Sequence, residues 1–205
     1  MSEPRVFCVG RNYAAHAREL GNALPAPEGP PILFLKPASA LVPPGQPVPF
    51  PTHGRVLHFE TELVLAIGRA GRPVTESEAA DFVSGMTLGF DLTLRDVQDT
   101  AKKAGMPWEA AKAFDHSAPC GPAVPGPLRN IVFFGDLNGQ RRQAGDTHDM
   151  IFPPARLLVE IGKIWALRPG DLVFTGTPEG VGPCQSGDVL TAHSPSLGSW
   201  SWTIA

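Results

Sequence analysis

The chain has 205 residues, a formal net charge of -3 and 42% hydrophobic residues. That length suits one domain with a sizeable core, and the slight acidity, with basic residues scattered, excludes a general electrostatic attraction to nucleic acid or to an anionic membrane. The 22 glycines and 23 prolines exceed one residue in five, against an average of about 12%, and their placement between short apolar runs reads as turn punctuation in a mainly β fold with few helices.

In chain order, residues 5–10 (RVFCVG) read as a short strand. Residues 11–20 (RNYAAHAREL) are helix-permissive and stop at Gly21. Residues 32–37 (ILFLKP) form a buried strand, and the prolines of residues 41–51 exclude helix there. Residues 58–63 (HFETEL) run as a strand into the apolar LVLAIG, followed by a helix over 75–85 with a capping box from Thr75 and Glu78. A strand over 85–91 ends in polar residues, and 96–105 and 107–115 give short helical pieces. Asn138 and Gly139 favour a type I′ hairpin turn within 130–145. Residues 153–167 hold the strongest helix, with Leu157, Leu158, Ile161 and Ile164 or Trp165 as its core stripe. Short strands and tight turns fill 168–194. No repeat or linker divides the chain. Cys8, Cys120 and Cys184 are too few and too far apart for a disulfide framework. No signal-peptide pattern opens the sequence and no apolar run reaches the ~20 residues of a membrane span, so the cytoplasm is the expected location.

The informative chemistry lies at Glu60 and Glu62, which share one face of a strand at i and i+2. Two acids beside an apolar run repel each other, and either solvent or a cation must relieve them. Asp91 supplies a third carboxylate at the end of another strand. An all-oxygen set of this kind suits Mg²⁺ or Mn²⁺, with Ca²⁺ possible and zinc disfavoured. His58 shares the parity of the two glutamates and is expected beside the ion or in the core.

The ordered motifs VGRNYAAHAREL, ILFLKP, HFETEL, DLTLRDVQ, PWEAAKAFD and RPGDLVFTGTPEGVGPCQSGD cover nearly the whole chain. Together they resemble the fumarylacetoacetate hydrolase family, in particular its short single-domain acylpyruvate hydrolase-like members. The resemblance implies a mixed β-sandwich roll over 1–205, a homodimer, and one Mg²⁺ or Mn²⁺ held by Glu60, Glu62 and Asp91. It also implies a lid helix over 11–22 carrying a His16 and Glu19 dyad, with Lys112 as the third catalytic group. Arg11, Lys36, Arg95, Gln98 and Thr177 are its implied substrate contacts, and the backbone of residues 175–177 its implied carboxylate-binding turn. Many relatives have a second histidine where this chain has Phe59, a position that alternation turns away from Glu60.

The implied activity is hydrolysis of the carbon–carbon bond of acylpyruvates such as fumarylpyruvate, a step in breaking down aromatic compounds. A metal would chelate the 2-oxoacid end and accept negative charge. His16 and Glu19, at i and i+3, would activate water, and Lys112 would face the oxyanion. The alternatives are enol/keto isomerisation or oxaloacetate-type decarboxylation on the same scaffold, and noncatalytic capture of a 2-oxoacid. Arg95 has a second reading, an ion pair with Asp96 or Asp99, and Lys112 one as a surface lysine. Cys8 reads as a small buried hydrophobe.

Overall fold

The computed structural model describes residues 3–205. Its elements in chain order are β1 (Val6–Gly10), α1 (Ala14–Glu19), β2 (Ile32–Lys36), β3 (Leu41–Val42), β4 (Leu57–Phe59), β5 (Thr61–Ile67), α2 (Glu76–Ala80), β6 (Val83–Phe90), β7 (Thr93–Leu94), α3 (Arg95–Ala104), α4 (Glu109–Lys112), β8 (Ala118–Pro119), β9 (Val124–Pro125), β10 (Val132–Leu137), β11 (Gln140–Asp146), α5 (Pro154–Ile164), β12 (Leu172–Phe174), β13 (Gly182–Cys184), β14 (Val189–Ser194) and β15 (Gly198–Thr203). The longest helix, α5, has 11 residues. Among the described residues no helix is long and apolar enough to cross a membrane.

A six-stranded sheet runs β2-β1-β12-β5-β6-β9, a four-stranded sheet β11-β10-β14-β15, and smaller sheets join β13-β4-β7 and β3-β8. Pairing is antiparallel except for β1 with β12 and β3 with β8, so the sheets are mixed as expected. β5 is buried on both faces, which is why it reads as an unbroken apolar run. Leu63, Leu65 and Ile67 join the main core with Met86, Leu88 and Phe90 of β6, Leu158 and Ile161 of α5, and Trp202 of β15. On the opposite face, Val64 packs with Val6, Cys8 and Phe174. Each fully buried side chain of this kind contributes about 1.5–3 kcal/mol. All three cysteines are free, and burial pushes the Cys8 thiol up, consistent with a packing role.

One expectation is corrected in a way that makes the site. Residues 58–63 are not a single strand. β4 ends at Phe59 and pairs with β13 and β7, whereas β5 begins at Thr61 and pairs with β12 and β6. Glu60 sits where the chain changes sheets. Asp91 occupies the matching switch between β6 and β7, with Thr61 opposite Phe90 on one side and His58 opposite Thr93 on the other. The Asp91 N–H donates to the Glu60 carbonyl at 2.8 Å, closing the double crossover.

The remaining elements follow their local signals. Asn138 and Gly139 both take positive φ, at 52° and 77°, as a type I′ turn requires. Thr75 Oγ1 accepts the Glu78 N–H and caps α2, yet that helix stops at Ala80 because Val83 onward is needed in β6. On α5, Leu157, Leu158 and Ile161 are buried as expected, but Ile164 is exposed; Trp165 packs instead, against Phe7 at 5.4 Å between ring centroids. Phe59 lies in the core, away from Glu60.

Candidate metal centre

The two sheet switches bring Glu60, Glu62 and Asp91 together, and one carboxylate oxygen from each lies within 4.8 Å of the others. All three side chains are buried. Asp91 Oδ1 is buried, and its one close partner is the Lys36 ammonium at 2.9 Å. Glu62 takes one N–H, from Gly176 at 2.7 Å, and among the described residues no cation pairs with it. Burial, then Asp91, then Glu60 push the Glu62 carboxyl well above its ordinary range. A group that cannot ionise comfortably, beside a carboxylate oxygen with an unused lone pair, is relieved by a cation between them. The donor set is all oxygen, so the residues fit a hard divalent ion. His58 is not among the ligand atoms that converge and does not line the cavity; burial and Arg95 lower its pKa to about 4, so it stays neutral.

Three cations brace the acids. Arg95 reaches Glu60 Oε1 at 2.5 Å and donates to Gln98 Oε1 at 2.7 Å. The pairing with Asp96 or Asp99 is therefore replaced by one with Glu60, and Asp96 accepts the N–H groups of Arg55 and Val56 instead. Lys112 is not a surface lysine. It is buried, with Nζ 2.7 Å from Glu60 Oε2 and 2.6 Å from Asp91 Oδ2. Burial opposes the charge on Lys112, but Asp91 and Glu60 outweigh it and hold its pKa up. Burial likewise opposes ionisation of Glu60, and Lys112 and Arg95 overcome that to keep it well below the carboxylate range.

Lys36 departs from the implied substrate contact. Its ammonium is enclosed by the carbonyls of Leu92, Lys112 and Ser117 and by Ser117 Oγ, and it lies 2.9 Å from Asp91 Oδ1. It does not line the site cavity. The side chain ties the 112–117 segment to Asp91, a structural task that a lysine at a strand end does not reveal in sequence.

The segment expected to act as a lid lines the cavity beside the triad through Arg11, His16, Leu20 and Asn22. Asn12 fixes the start of α1: its side chain donates to the carbonyls of Phe152 and Thr175 and accepts the Phe152 N–H. Gly176 must be glycine beside it, since φ is 100° and a Cβ would lie 2.6 Å from Asn12 Cβ. At the far end, Glu19 accepts the Gly180 N–H at 3.0 and 3.2 Å through its two oxygens. His16 is buried, with Nδ1 3.5 Å from Glu19 Oε2. That contact is an approach rather than a hydrogen bond. Burial lowers the His16 pKa, against the pull of Glu60 and Glu19, so the imidazole is neutral near pH 7. A lid must open to admit substrate. Hydrogen exchange over residues 14–22 is expected to slow when oxalate binds the Mn²⁺-loaded protein; equal exchange with and without oxalate would show that the segment is fixed.

The cavity beside the triad is narrow, about 40 Å³, and is lined among others by His16, Arg11, Arg95, Gln98, Lys112 and Thr177 together with the triad. Of the 175–177 turn, only part faces it as expected. The Gly176 N–H is spent on Glu62, and Thr177 Oγ1 donates to the Thr61 carbonyl while accepting from Gln143 Nε2. Gln143 was not singled out by its sequence. It sits buried on β11, accepts the Thr61 N–H and donates to the Pro178 carbonyl, so the hairpin clamps both loops of the site. Asn12, Ser117 and Lys102 are the other site residues that no spacing signal marks.

A family description, "Fumarylacetoacetate (FAA) hydrolase C-terminal", matches residues 5–205. Oxaloacetate tautomerase YcgM of Escherichia coli (strain K12) is 45% identical over 192 residues, 91% of this chain and 86% of that one. The human mitochondrial oxaloacetate tautomerase FAHD1 is 40% identical over 203 residues, 97% of this chain and 90% of that one. Among solved structures, fumarylpyruvate hydrolase from Pseudomonas aeruginosa in complex with Mn²⁺ and pyruvate superposes with a TM-score of 0.91 at 41% identity, covering 98% of this chain and 89% of that one. With a match across essentially the whole described chain and relatives at this identity, the chain belongs to the fumarylacetoacetate hydrolase family.

Proposed function

We propose that this chain interconverts the keto and enol forms of a small 2-oxoacid of the oxaloacetate type, in the presence of Mg²⁺ or Mn²⁺. This shifts the weight from acylpyruvate hydrolysis, the activity first expected, to its isomerase alternative. The observation that carries it is a neutral, buried imidazole and a three-carboxylate cluster facing one narrow cavity of about 40 Å³. Keto-to-enol conversion needs a proton removed from carbon 3 and one placed on the 2-oxygen, the reverse direction needs the opposite, and neither needs an attacking water. A cavity this narrow suits it better than it suits an acyl chain and a nucleophile together. The names of the tautomerase relatives support the same reading, and the Mn²⁺ of the fumarylpyruvate hydrolase structure supports a divalent ion.

Glu60, Glu62 and Asp91 would hold that ion, which supplies a Lewis acid for the 2-oxoacid oxygens. His16, neutral because it is buried, accepts the proton of carbon 3 and delivers it to the 2-oxygen, and runs the transfer backwards for ketonisation. Glu19 steadies the imidazole and latches the lid through Gly180. Lys112 and Arg95 place positive charge beside the acids and so limit the net charge the cavity presents to an anion.

A second reading, hydrolysis of acylpyruvates, is favoured by an apolar groove of about 300 Å³ that shares Phe34, Trp108 and Lys112 with the cavity wall and continues along Ile32, Met106 and Pro107. An acyl group could extend into it once the lid moves. The test is one preparation, loaded with Mn²⁺, assayed for loss of the ultraviolet absorbance of enol-oxaloacetate, for carbon dioxide release from oxaloacetate, and for cleavage of acetylpyruvate and fumarylpyruvate. Tautomerisation is expected to be fastest. Acylpyruvate cleavage with a higher kcat/KM would make the enzyme a hydrolase.

A further inference from the structure

Of the cations around the cavity, Lys112 and Arg95 are paired with acids of the triad. Two others are not. Lys102 on α3 and Arg11 just beyond β1 both line the cavity, and among the described residues neither forms an ion pair or a side-chain hydrogen bond.

Their placement is not that of solvated surface charge. Lys102 is half-buried, with its ammonium over the Trp108 ring at 5.7 Å from the centroid, while Lys103 beside it is exposed. Burial, with Arg95 and Arg11 nearby, pushes the Lys102 ammonium below its ordinary range. Asp99, one turn earlier on α3, attracts Lys102 but makes no ion pair with it. Among the described residues, Arg11 is one of three non-glycine residues with positive φ, at 59°. A backbone held there is strained and persists only where its surroundings impose it. Here the neighbouring Asn12, locked to Phe152 and Thr175, does so. Two cations lining one small cavity, neither of them ion-paired and Lys102 partly stripped of water, are complementary to an anion.

We infer that Lys102 and Arg11 form a subsite for a carboxylate on the part of the substrate remote from the triad, making the enzyme selective for dicarboxylic over monocarboxylic 2-oxoacids. The inference rests on the reading that the triad end of this cavity binds a 2-oxoacid. It adds Lys102 as a residue that sets specificity, and it applies to a tautomerase and a hydrolase alike, since both a four-carbon oxo-diacid and a fumaryl-bearing chain end in a second carboxylate.

The test pairs two stable ligands that differ only in that group. Malate and lactate both offer a 2-hydroxy acid, and malate alone has the distal carboxylate. Calorimetric titration of the Mn²⁺-loaded protein should show malate binding more tightly than lactate. Lys102→Met keeps the aliphatic stem over Trp108 and removes the charge. It is expected to weaken malate by about 10- to 100-fold, the range for a lost charge-assisted hydrogen bond, to leave lactate unchanged, and to raise the KM for oxaloacetate with little change in kcat. Lys102→Arg should restore most of the malate affinity. Equal effects on the two ligands, or none on either, would overturn the subsite. If the wild-type protein turned over no 2-oxoacid, the proposed function would fall, whereas the malate and lactate titrations would still decide the role of Lys102.

Discussion

In metal-free protein, Glu62→Gln is expected to leave the melting temperature unchanged or raise it, Asp91→Asn to lower it, and both to abolish tight binding of Mg²⁺ or Mn²⁺ together with activity. The difference comes from the company each acid keeps. Glu62 has only the Gly176 N–H and two like-charged neighbours, so a neutral isostere removes repulsion. Asp91 is the counter-charge of Lys36 and Lys112, and replacing it leaves two buried ammonium groups short of a partner. Breaking a buried pair costs about 3–5 kcal/mol. The sign with pH follows from linkage. Glu62 in the folded, metal-free chain holds its proton above the ordinary carboxylate value of 4.5, where the unfolded chain has released it. Its contribution is therefore most favourable below 4.5 and declines as pH rises through the raised folded pKa. Glu60, held low, contributes the opposite way: its stabilisation is present above 4.5 and is lost as pH falls below it. Thermal melts of the two variants against pH, without metal, separate these behaviours. A destabilised Glu62→Gln protein would mean that Glu62 is paired in a way the structure does not show.

His16→Ala is expected to lower tautomerisation by about 10²- to 10⁴-fold, the usual contribution of a general base, with Mn²⁺ affinity retained because His16 is not among the three ligands. The pH profile carries more information than the magnitude. Burial lowers the His16 pKa below 6.5, so the acid limb of kcat/KM should fall below pH 6.5 in the wild-type protein and be absent from the residual activity of the variant. Loss of activity with an unchanged acid limb would assign the proton transfer to another group and leave His16 as part of the lid.

Much of this site is legible in the residues because its signals are local. Glycines and prolines mark the turns, Asn138-Gly139 announces its hairpin, and the apolar run after Glu62 reflects a strand buried on both faces. The three acids are legible as a set because hard-metal chemistry needs several carboxylates. Their actual geometry is not, since strand parity describes one continuous strand and the chain switches sheets at Glu60. β15 is missed although Trp200 and Trp202 alternate with serines, because only its pairing with β14 turns Trp202 inward, where Nε1 donates to the Val42 carbonyl at 3.0 Å. The clamps formed by Asn12, Lys36, Ser117 and Gln143 are invisible for a related reason. Each acts across long sequence separations through backbone partners, so no spacing rule identifies it.

The proposed chemistry depends first on the triad holding a metal ion. Titration of the wild-type protein with Mn²⁺, followed by the electron paramagnetic resonance of the free ion, should show about one tight site per chain, as expected for a single hard-cation centre. The same titration of Glu62→Gln and of Asp91→Asn should show none, and His58→Asn should bind as the wild type does. Tight binding that survives in Glu62→Gln, or that is lost in His58→Asn, would contradict the assignment.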